Sequence, residues 1–376
     1  MSPVNQSEKG MRKPSRNRAL WAFCLSLFFA LGALSCSDDE PGLDPAEEDS
    51  VIFFLLSPNG PGDNGYNDMI VKGLSAFNFH EEANLHLLSC ESYEEAKAYY
   101  TEFLELNASM KERRMLIVLA SSLYESLLTE ATEPVGKGEV LLFESARTDL
   151  SERVHCLSLN RYGVCYLAGA MVSNQPAEIV AALPDEPILQ DAIDGFKAGY
   201  AAHNPNRTVP IHYLANDHSG FNQQGQAYRW TQERMNYYRQ QAPSYCTFVP
   251  LAGSSNLGVY NAVNQLIAGQ QAIGMDINCN DQNDYIPFSI LFHVDQLIQD
   301  YLTRWQRGET LPRQERFGLS SNYVEVVCSA TWDPLSIFVG WDDLESMVQL
   351  PDDFWAQKLA LYQEEAKQKE VTHEKE

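Results

Sequence analysis

Three polar loops carry the side chains in this sequence that could act on a small molecule. The first, 62–67, places a carboxylate (Asp63), an aromatic ring (Tyr66) and an amide (Asn67) between an apolar run and a predicted helix. Asp63 could accept hydrogen bonds from hydroxyl or ring N–H groups, Asn67 could donate and accept, and Tyr66 could stack on a planar group. The alternative for this loop is a helix-capping turn with an incidental tyrosine.

The other two loops also follow predicted strands. Loop 252–258 includes Gly253 and Asn256 and opens a predicted helix, so its backbone N–H groups could hold an oxygen-rich ligand. It is not a nucleotide phosphate loop, because no Gly-Lys-Ser/Thr follows. Asp276 ends a third predicted strand and could accept hydrogen bonds from both hydroxyls of a sugar diol, or close an ordinary Asp turn.

Motifs typical of enzymes are missing from the sequence. There is no Gly-x-Ser-x-Gly elbow, and the spacing of His80 and His86 is not that of a His-Glu-x-x-His zinc site. The eight cysteines are scattered without a CxxC pair, so no metal is predicted, and pairing in an oxidising compartment or buried thiols are both open. We predict no catalytic residue and no cofactor. An exported hydrolase that uses Asp63 and Asp276 is a remote alternative.

Apolar runs and helical periodicity alternate along most of the chain, which predicts repeated βα units. The predicted strands are 51–57, 85–89, 115–120, 139–143, 154–159, 178–183, 209–214, 247–251, 272–275 and 323–328. The predicted helices lie near 70–77 and at 93–106, 123–130, 162–172, 188–203, 224–239, 258–268 and 289–307. So many units fit two doubly wound parallel lobes joined by a hinge, an α/β fold that binds ligands beyond the carboxyl ends of its strands. Ser121, after the third strand, joins the candidate site for this reason.

The N-terminus is typical of a processed export signal. Basic residues in 9–18 precede an apolar run at 19–33, which is short for a membrane span, and Cys36 follows small residues. We therefore expect a signal peptide at 1–35 and a lipidated Cys36 with an acidic tether at 36–50, on the periplasmic or outer face of a bacterial envelope. An ordinary secretory signal and an uncleaved anchor are the alternatives.

The remaining chain is divided by its predicted elements. We expect an N-terminal lobe at 51–160 completed by about 285–325, and a C-terminal lobe at 161–284 with 326–350 as a candidate addition. A polar helix or tail should occupy 351–376. The 27 basic and 51 acidic residues give a net charge of −24, which argues against nucleic acid and against a polybasic membrane surface as partners.

Six segments, in order, resemble the basic membrane protein family of substrate-binding lipoproteins of ABC transporters. The family's Asp-x-Ser-Phe-Asn motif corresponds to Asp-Asn-Gly-Tyr-Asn at 63–67, and its Gly-Ser-Phe-Leu-Ala-Gly helix to Val-Cys-Tyr-Leu-Ala-Gly at 164–169. Its Phe-x-x-Gly element corresponds to 193–205, and its Ser-Phe-Asn-Asp loop to Gly-Phe-Asn-Gln at 220–223. Its Gly-rich loop corresponds to Ala-Gly-Ser-Ser-Asn-Leu-Gly-Val at 252–259, and its Ile-Gly-Val-Asp segment to Ile-Gly-Met-Asp at 273–276. This resemblance implies a type I periplasmic-binding fold that delivers a nucleoside-like molecule to a membrane permease.

The resemblance also implies roles for individual residues. Tyr66 and Phe221 would stack on a planar base, Asp63 and Asn67 would hydrogen-bond the ligand, and Asp276 would take ribose-like hydroxyls. The loop at Gly253 would approach the ligand through its backbone. The segment 292–295 lacks the lysine that the family often has there. A diverged sensor or surface-interaction protein, with a different small ligand or none, is therefore the alternative function.

Overall fold

The computed structural model describes residues 50–57, 60–63, 65–81, 83–129, 132–145, 147–241, 245–264, 270–280, 285–329 and 354–375. The predicted signal peptide, Cys36, nearly all of the acidic tether and the segment 330–350 lie outside these residues. None of the helices that are described is long and apolar enough to cross a membrane.

Strands and helices alternate, as the apolar periodicity predicts. The strands are β1 (Ser50–Leu55), β2 (Leu85–Leu88), β3 (Arg114–Leu119), β4 (Gly138–Phe143), β5 (Val154–Leu159), β6 (Ala177–Ala181), β7 (Ile211–Tyr213), β8 (Cys246–Leu251), β9 (Gln270–Ala272), β10 (Phe288–Phe292), β11 (Gln314–Phe317) and β12 (Val324–Cys328). The α-helices are α1 (Tyr66–Glu81), α2 (Tyr93–Ser109), α3 (Arg161–Met171), α4 (Pro187–His203), α5 (Gln224–Tyr238), α6 (Asn256–Val263), α7 (Val294–Gln306) and α8 (Phe354–His373). Short 3-10 helices occupy Ser122–Leu127, His218–Asn222 and Gly253–Ser255.

Two parallel sheets define two lobes. The first lobe has six strands in the order β11-β5-β4-β3-β1-β2, and the second has four in the order β7-β6-β8-β9. All neighbouring strands within these two sheets are parallel. Central strands such as β1 and β3 are almost wholly buried and apolar, which is expected of strands covered on both faces. The predicted doubly wound α/β fold is confirmed.

Within the part of the chain that the structure describes, the chain passes between the lobes at three hinge segments. After β5 it enters the second lobe through α3, and β10 lies beside that lobe's sheet, with Gly274 bridged to Ser289. The return comes at His293, after the predicted start at about 285, and α7 then packs against α1. β11 completes the first sheet, and residues 318–323 lead to β12, which pairs antiparallel with β10.

Two glycines allow the first helices of the second lobe to lie in close contact. A Cβ on Gly169 of α3 would clash with the carbonyl oxygen of Phe196 in α4, and a Cβ on Gly199 would clash with that of Tyr166. The buried faces of α3 and α4 therefore meet backbone to backbone, which fixes α4 and its N-terminal turn over the cleft between the lobes.

Two predicted helices were wrong in part, and one strand was missed. The predicted helix 289–307 begins only at Val294, because the apolar run 288–292 pairs as a strand with β12. Short apolar runs fit a buried strand or a buried helix equally well. The predicted helix 123–130 is a short 3-10 helix, and β11 was missed because its sequence, Gln-Glu-Arg-Phe, is mostly polar.

The cysteines that the structure describes form no disulfide with one another. Five of them are buried thiols and one, Cys328, is exposed; the buried ones are Cys90, Cys156, Cys165, Cys246 and Cys279. The sequence left both disulfide pairing and free thiols open, and the described cysteines are free thiols.

Candidate functional site

A cavity of about 360 Å³ lies between the two lobes, at the carboxyl ends of strands from both sheets. This is the edge at which parallel α/β sheets present their loops to ligands. All eight residues proposed from the sequence as ligand contacts line it: Asp63, Tyr66, Asn67, Ser121, Phe221, Gly253, Asn256 and Asp276. The structure thus brings together side chains that are more than 200 positions apart in the sequence.

The Asp63 carboxylate holds the first loop in place. It accepts hydrogen bonds from the backbone N–H groups of Gly65 at 2.9 Å, Asn67 at 3.0 Å and Asp68 at 3.2 Å. It thereby satisfies two of the free N–H groups in the first turn of α1, those of Asn67 and Asp68. Burial nevertheless raises the pKa of Asp63 above its usual range, more than these hydrogen bonds lower it. Asp63 therefore serves chiefly as a helix cap, which is the alternative that its sequence position left open.

The next two residues offer polar atoms without protein partners. The Tyr66 hydroxyl and the Asn67 Oδ1 atom are buried, and neither has a hydrogen-bond partner within the described part of the chain. The other end of the Asn67 amide is engaged, because Nδ2 donates to the Ser57 hydroxyl at 3.3 Å. An unsatisfied buried polar group costs about 1–3 kcal/mol. A molecule in the cavity could recover that cost at both atoms.

A charged cluster lies next to these atoms. The Arg161 guanidinium donates from Nη1 to Glu144 Oε2 at 2.8 Å and from Nη2 to Glu144 Oε1 at 2.7 Å. The carboxylates of Asp276 and Asp63 both lie close to Gly65. A Cβ atom at this glycine would be 3.8 Å from Asp276 Oδ2 and 3.9 Å from Asp63 Oδ1. Among the described residues no side-chain hydrogen bond reaches the Asp276 carboxylate.

The electrostatics of Asp276 follow from this position. Burial raises its pKa to about 6, the nearby carboxylates of Asp63 and Glu144 contribute in the same direction, and Arg161 opposes them. Both Glu144 and Asp276 have left-handed backbone conformations, with φ of 60° and 69°. Such conformations are uncommon outside glycine and concentrate at functional sites.

The second lobe contributes an aromatic ring through two short helical turns. Phe221 lies in the turn His218–Asn222, and its carbonyl oxygen accepts a hydrogen bond from the Ser254 hydroxyl at 2.7 Å. Gly253 has a φ of 54°, and a Cβ there would lie 3.1 Å from Phe221 Cδ1. Glycine at 253 thus lets the Phe221 ring approach the loop closely and face the cavity.

Two of the proposed ligand contacts have side chains engaged in their own loops. The Asn256 Oδ1 atom accepts a hydrogen bond from the backbone N–H of Ala252 at 2.9 Å. The Ser121 hydroxyl accepts one from the backbone N–H of Leu123 at 3.2 Å and caps a 3-10 helix. Both residues line the cavity, and both shape its wall.

Sequence reasoning missed several titratable residues of this cavity, and four of them make contacts that matter here. Glu144 directly follows β4, and Arg161 lies two residues after the end of β5. Ligands bind beyond the carboxyl ends of parallel strands, so this rule could have found both residues, whereas the search for motifs did not. Glu186 precedes α4 and accepts a hydrogen bond from the Ser122 hydroxyl across the cleft at 3.0 Å. His218 Nε2 lies 3.5 Å from the same carboxylate, and this hydrogen-bonded contact raises the pKa of His218.

The rest of the lining includes polar residues such as Glu91, Ser92 and Ser254. Its apolar part is formed by side chains of both lobes, namely Leu123, Ile188, Leu189, Ala192, Leu251 and Met275. This mixture of charged, polar and apolar side chains suits an amphipathic small molecule. No serine or cysteine among the described lining residues is hydrogen-bonded to a histidine, and no described group of His, Cys, Asp and Glu could hold a metal ion.

Comparison with known proteins gives matches in structure alone. Searches against protein-family models and against curated protein sequences find no match. A solved ABC transporter solute-binding protein from Aeropyrum pernix K1 is similar, with a TM-score of 0.60, 18% identity, and coverage of 85% of this chain and 86% of that one.

Two further solved structures are similar over most of their length. A solute-binding protein of an ABC transporter system from Conexibacter woesei DSM 14684 has a TM-score of 0.57 and 14% identity, with 85% of this chain and 97% of that one covered. A 5-methylthioribose transporter solute-binding protein from Thermotoga lettingae TMO has a TM-score of 0.55 and 12% identity, with 84% and 97% covered. The sheets, the three hinge segments and these likenesses together show that the chain has the two-lobed type I periplasmic-binding fold.

Proposed function

We propose that this protein captures a small polar molecule between its two lobes and delivers it to a membrane permease of the ABC type. The observation that carries the proposal is the pair of buried, unpartnered polar atoms, Tyr66 Oη and Asn67 Oδ1, in two neighbouring residues that line the inter-lobe cavity. Buried polar groups in folded proteins are almost always hydrogen-bonded. A bound molecule with its own donors would satisfy these two atoms.

The chemistry of the wall supports a nucleoside-like ligand. The rings of Tyr66 and Phe221 can contact a planar or apolar portion, while Asp276 and Asn67 can accept from hydroxyl or amino groups. A phosphorylated ligand is disfavoured, because the polar end of the cavity holds more carboxylates than cations. One structural neighbour is described in complex with 5-methylthioribose, a hydroxylated sugar with an apolar thioether, and such a molecule would suit the same division of the wall.

Closure of the lobes would trap the ligand. The Ser122 hydroxyl of the first lobe donates to Glu186 of the second lobe at 3.0 Å, so a polar contact spans the mouth of the cleft. The lobes are joined only by short hinge segments among the described residues, a connectivity that permits rotation of one rigid sheet against the other.

The setting of the protein is proposed from its N-terminus. The basic and apolar segments before Cys36 favour export, and the cysteine after small residues favours attachment of a lipid at Cys36. The acidic stretch at 36–50 would then act as a tether between the lipid and the lobes. Mass spectrometry of protein expressed in a bacterial host would show a diacylglyceryl-modified Cys36 or would contradict the anchor.

A thermal-shift screen tests the capture of a ligand. We would compare nucleosides, nucleobases, sugars and amino acids against the purified protein, the Tyr66→Ala variant and the Tyr237→Ala control, since Tyr237 is exposed and does not line the cavity. A ligand at 100 times its Kd stabilises a protein by about 2.7 kcal/mol. We expect a shift with a nucleoside-like compound that is lost in Tyr66→Ala and kept in Tyr237→Ala.

Other outcomes would redirect the proposal. A shift that appears only with another chemical class would leave capture standing and overturn the nucleoside. A complete absence of shifts would contradict capture and favour the alternative of a sensor or surface-interaction protein on the same fold.

A further inference from the structure

We infer that the molecule held in this cavity carries a positively charged amino group, which lies at the polar end among Asp63, Glu144 and Asp276. The inference rests on the proposed function, because it specifies the charge of the ligand of the same cavity. It adds the prediction that the protein binds amines more tightly than their neutral, hydroxyl-bearing analogues.

The balance of charge at this end is negative. Three carboxylates, Asp63, Glu144 and Asp276, face one described cation, Arg161, and both ends of its guanidinium fork are occupied by Glu144. Asp63 receives three backbone N–H groups, which stabilise its charge without changing it. Asp276 has neither a hydrogen-bond donor nor an ion-pair partner within the described chain. Asp276 is only partly buried and lines the cavity, and desolvation there raises its pKa, so a cation from outside would stabilise its charged form.

The unpartnered atoms require donors in particular. Asn67 is only 2% exposed, and its Oδ1 atom is an acceptor without a donor. The Asp276 carboxylate is a second acceptor, and the Tyr66 hydroxyl can take either role. An ammonium group has three N–H donors and no acceptor, so it complements this set better than a hydroxyl, which brings acceptor lone pairs that would face carboxylates.

A metal ion is a poorer occupant than an organic cation. The described residues contain no group of His, Cys, Asp and Glu with the spacing of a metal site. The Asp63 oxygens that would be needed as ligands are already engaged by the first turn of α1. The adjoining apolar wall would also have no role in binding a bare ion, whereas it can contact the carbon skeleton of an amine.

The pH dependence of binding follows from the groups that face Asp276. The charged groups that face Asp276 are Asp63, Glu144 and Arg161. The neutral titratable groups are Tyr66, Cys165, Tyr260 and Cys279. Burial raises the pKa of each of these phenols and thiols, so they do not titrate between pH 5 and pH 8. Among the groups that face Asp276, its own carboxyl, with a pKa of about 6, is the one whose protonation competes with a bound cation. His218 lies on the same cavity and its pKa is raised, so it also gains a proton as the pH falls, and the Asp276→Asn variant separates the two effects. Amine affinity should fall as the pH drops through 6.

Matched pairs of compounds test the inference on the full protein. The probes are adenosine with 5′-amino-5′-deoxyadenosine, glucose with glucosamine, and galactose with galactosamine, each titrated calorimetrically at pH 7.5 and pH 5. We expect the amine to bind at least tenfold more tightly than its neutral partner at pH 7.5, and this advantage to fall about tenfold at pH 5. Asp276→Asn should remove the advantage at both pH values, and Asp194→Asn, an exposed acid on α4, should preserve it.

The outcomes separate this inference from the proposed function. Equal or tighter binding of the neutral partner at pH 7.5 would overturn the inference and leave ligand capture intact. Binding of neither member of any pair would contradict both. If Asp276→Asn does not fold, the same titrations are made on His218→Gln, and an amine advantage that does not change with pH in that variant excludes Asp276 as the counter-charge.

Discussion

Replacing Glu370 by glutamine should make the protein more stable at pH 8 and leave its stability at pH 5 nearly unchanged. Glu370 lies near the end of α8 and is 4% exposed. Its carboxylate accepts hydrogen bonds from the backbone N–H of Leu319 at 3.1 and 3.4 Å, and it packs against Gly163 and Gly318. It therefore touches two of the three hinge segments.

The magnitude follows from the pKa of this carboxyl. Burial raises the pKa of Glu370 from 4.5 to about 7, and the charge of Glu374 adds to that increase. The folded state thus binds this proton more tightly than the unfolded state, so the free energy of unfolding falls as the pH rises from about 4.5 to about 7. At about 1.4 kcal/mol per pKa unit, the full loss is about 3 kcal/mol. Glutamine keeps the shape and an acceptor oxygen but carries no charge.

The assay is thermal unfolding of three proteins at pH 5 and pH 8. We expect the melting temperature of Glu370→Gln to exceed that of the wild type by about 4–5 °C at pH 8, given about 2.1 cal/mol/K of unfolding entropy per residue. At pH 5 the two should nearly coincide. Glu364→Gln, an exposed acid on the same helix, should follow the wild type at both pH values. A difference between wild type and Glu370→Gln that is the same at pH 5 and pH 8 would refute the reasoning.

Three further predictions concern buried polar and packing contacts. Arg161→Met should lower the free energy of unfolding by about 3–5 kcal/mol in urea melts, because it leaves Glu144 buried and unpaired, and adding Glu144→Leu should restore most of it. Tyr66→Phe should not lower the stability of the ligand-free protein, since the hydroxyl has no partner in the described chain, but should weaken ligand binding about tenfold by calorimetry. Gly169→Ala should cost about 1–3 kcal/mol by overpacking α3 on α4, whereas Gly225→Ala, on an open helix face, should gain about 0.5–1 kcal/mol; equal effects would contradict the packing argument.

The fold could be predicted from the sequence because its signals are local. A buried parallel strand such as β1 is a short apolar run, and the turn and helix after it have their own residue patterns. β10 could not be assigned from the sequence, because the apolar run 288–292 fits a strand and the first turn of α7 equally well. Only its pairing with β12 decides between the two. β11 depends on its pairing with β5, which no local pattern records.

The candidate site could be predicted in part for the same reason. Asp63, Tyr66 and Phe221 occur in strand–turn–helix contexts that mark a ligand edge, and the structure places them on one cavity. The dominant charge pair, Glu144 with Arg161, joins two strand ends, and neither residue stands out in its own segment. No local pattern indicates that the oxygens of Asp63 are used by the backbone of α1, because that depends on the folded shape of the loop.

Blocking the cavity without touching its polar groups tests the central claim most directly. Ile188 lies in the first turn of α4 on the apolar wall, and Ile188→Trp would fill much of the space between the lobes. We would titrate the best ligand of the screen into wild-type protein and Ile188→Trp by calorimetry, after checking that both unfold at similar temperatures. The account predicts one molecule bound per wild-type chain and none by the variant. Unchanged affinity in Ile188→Trp would show that the ligand binds elsewhere and would contradict the account.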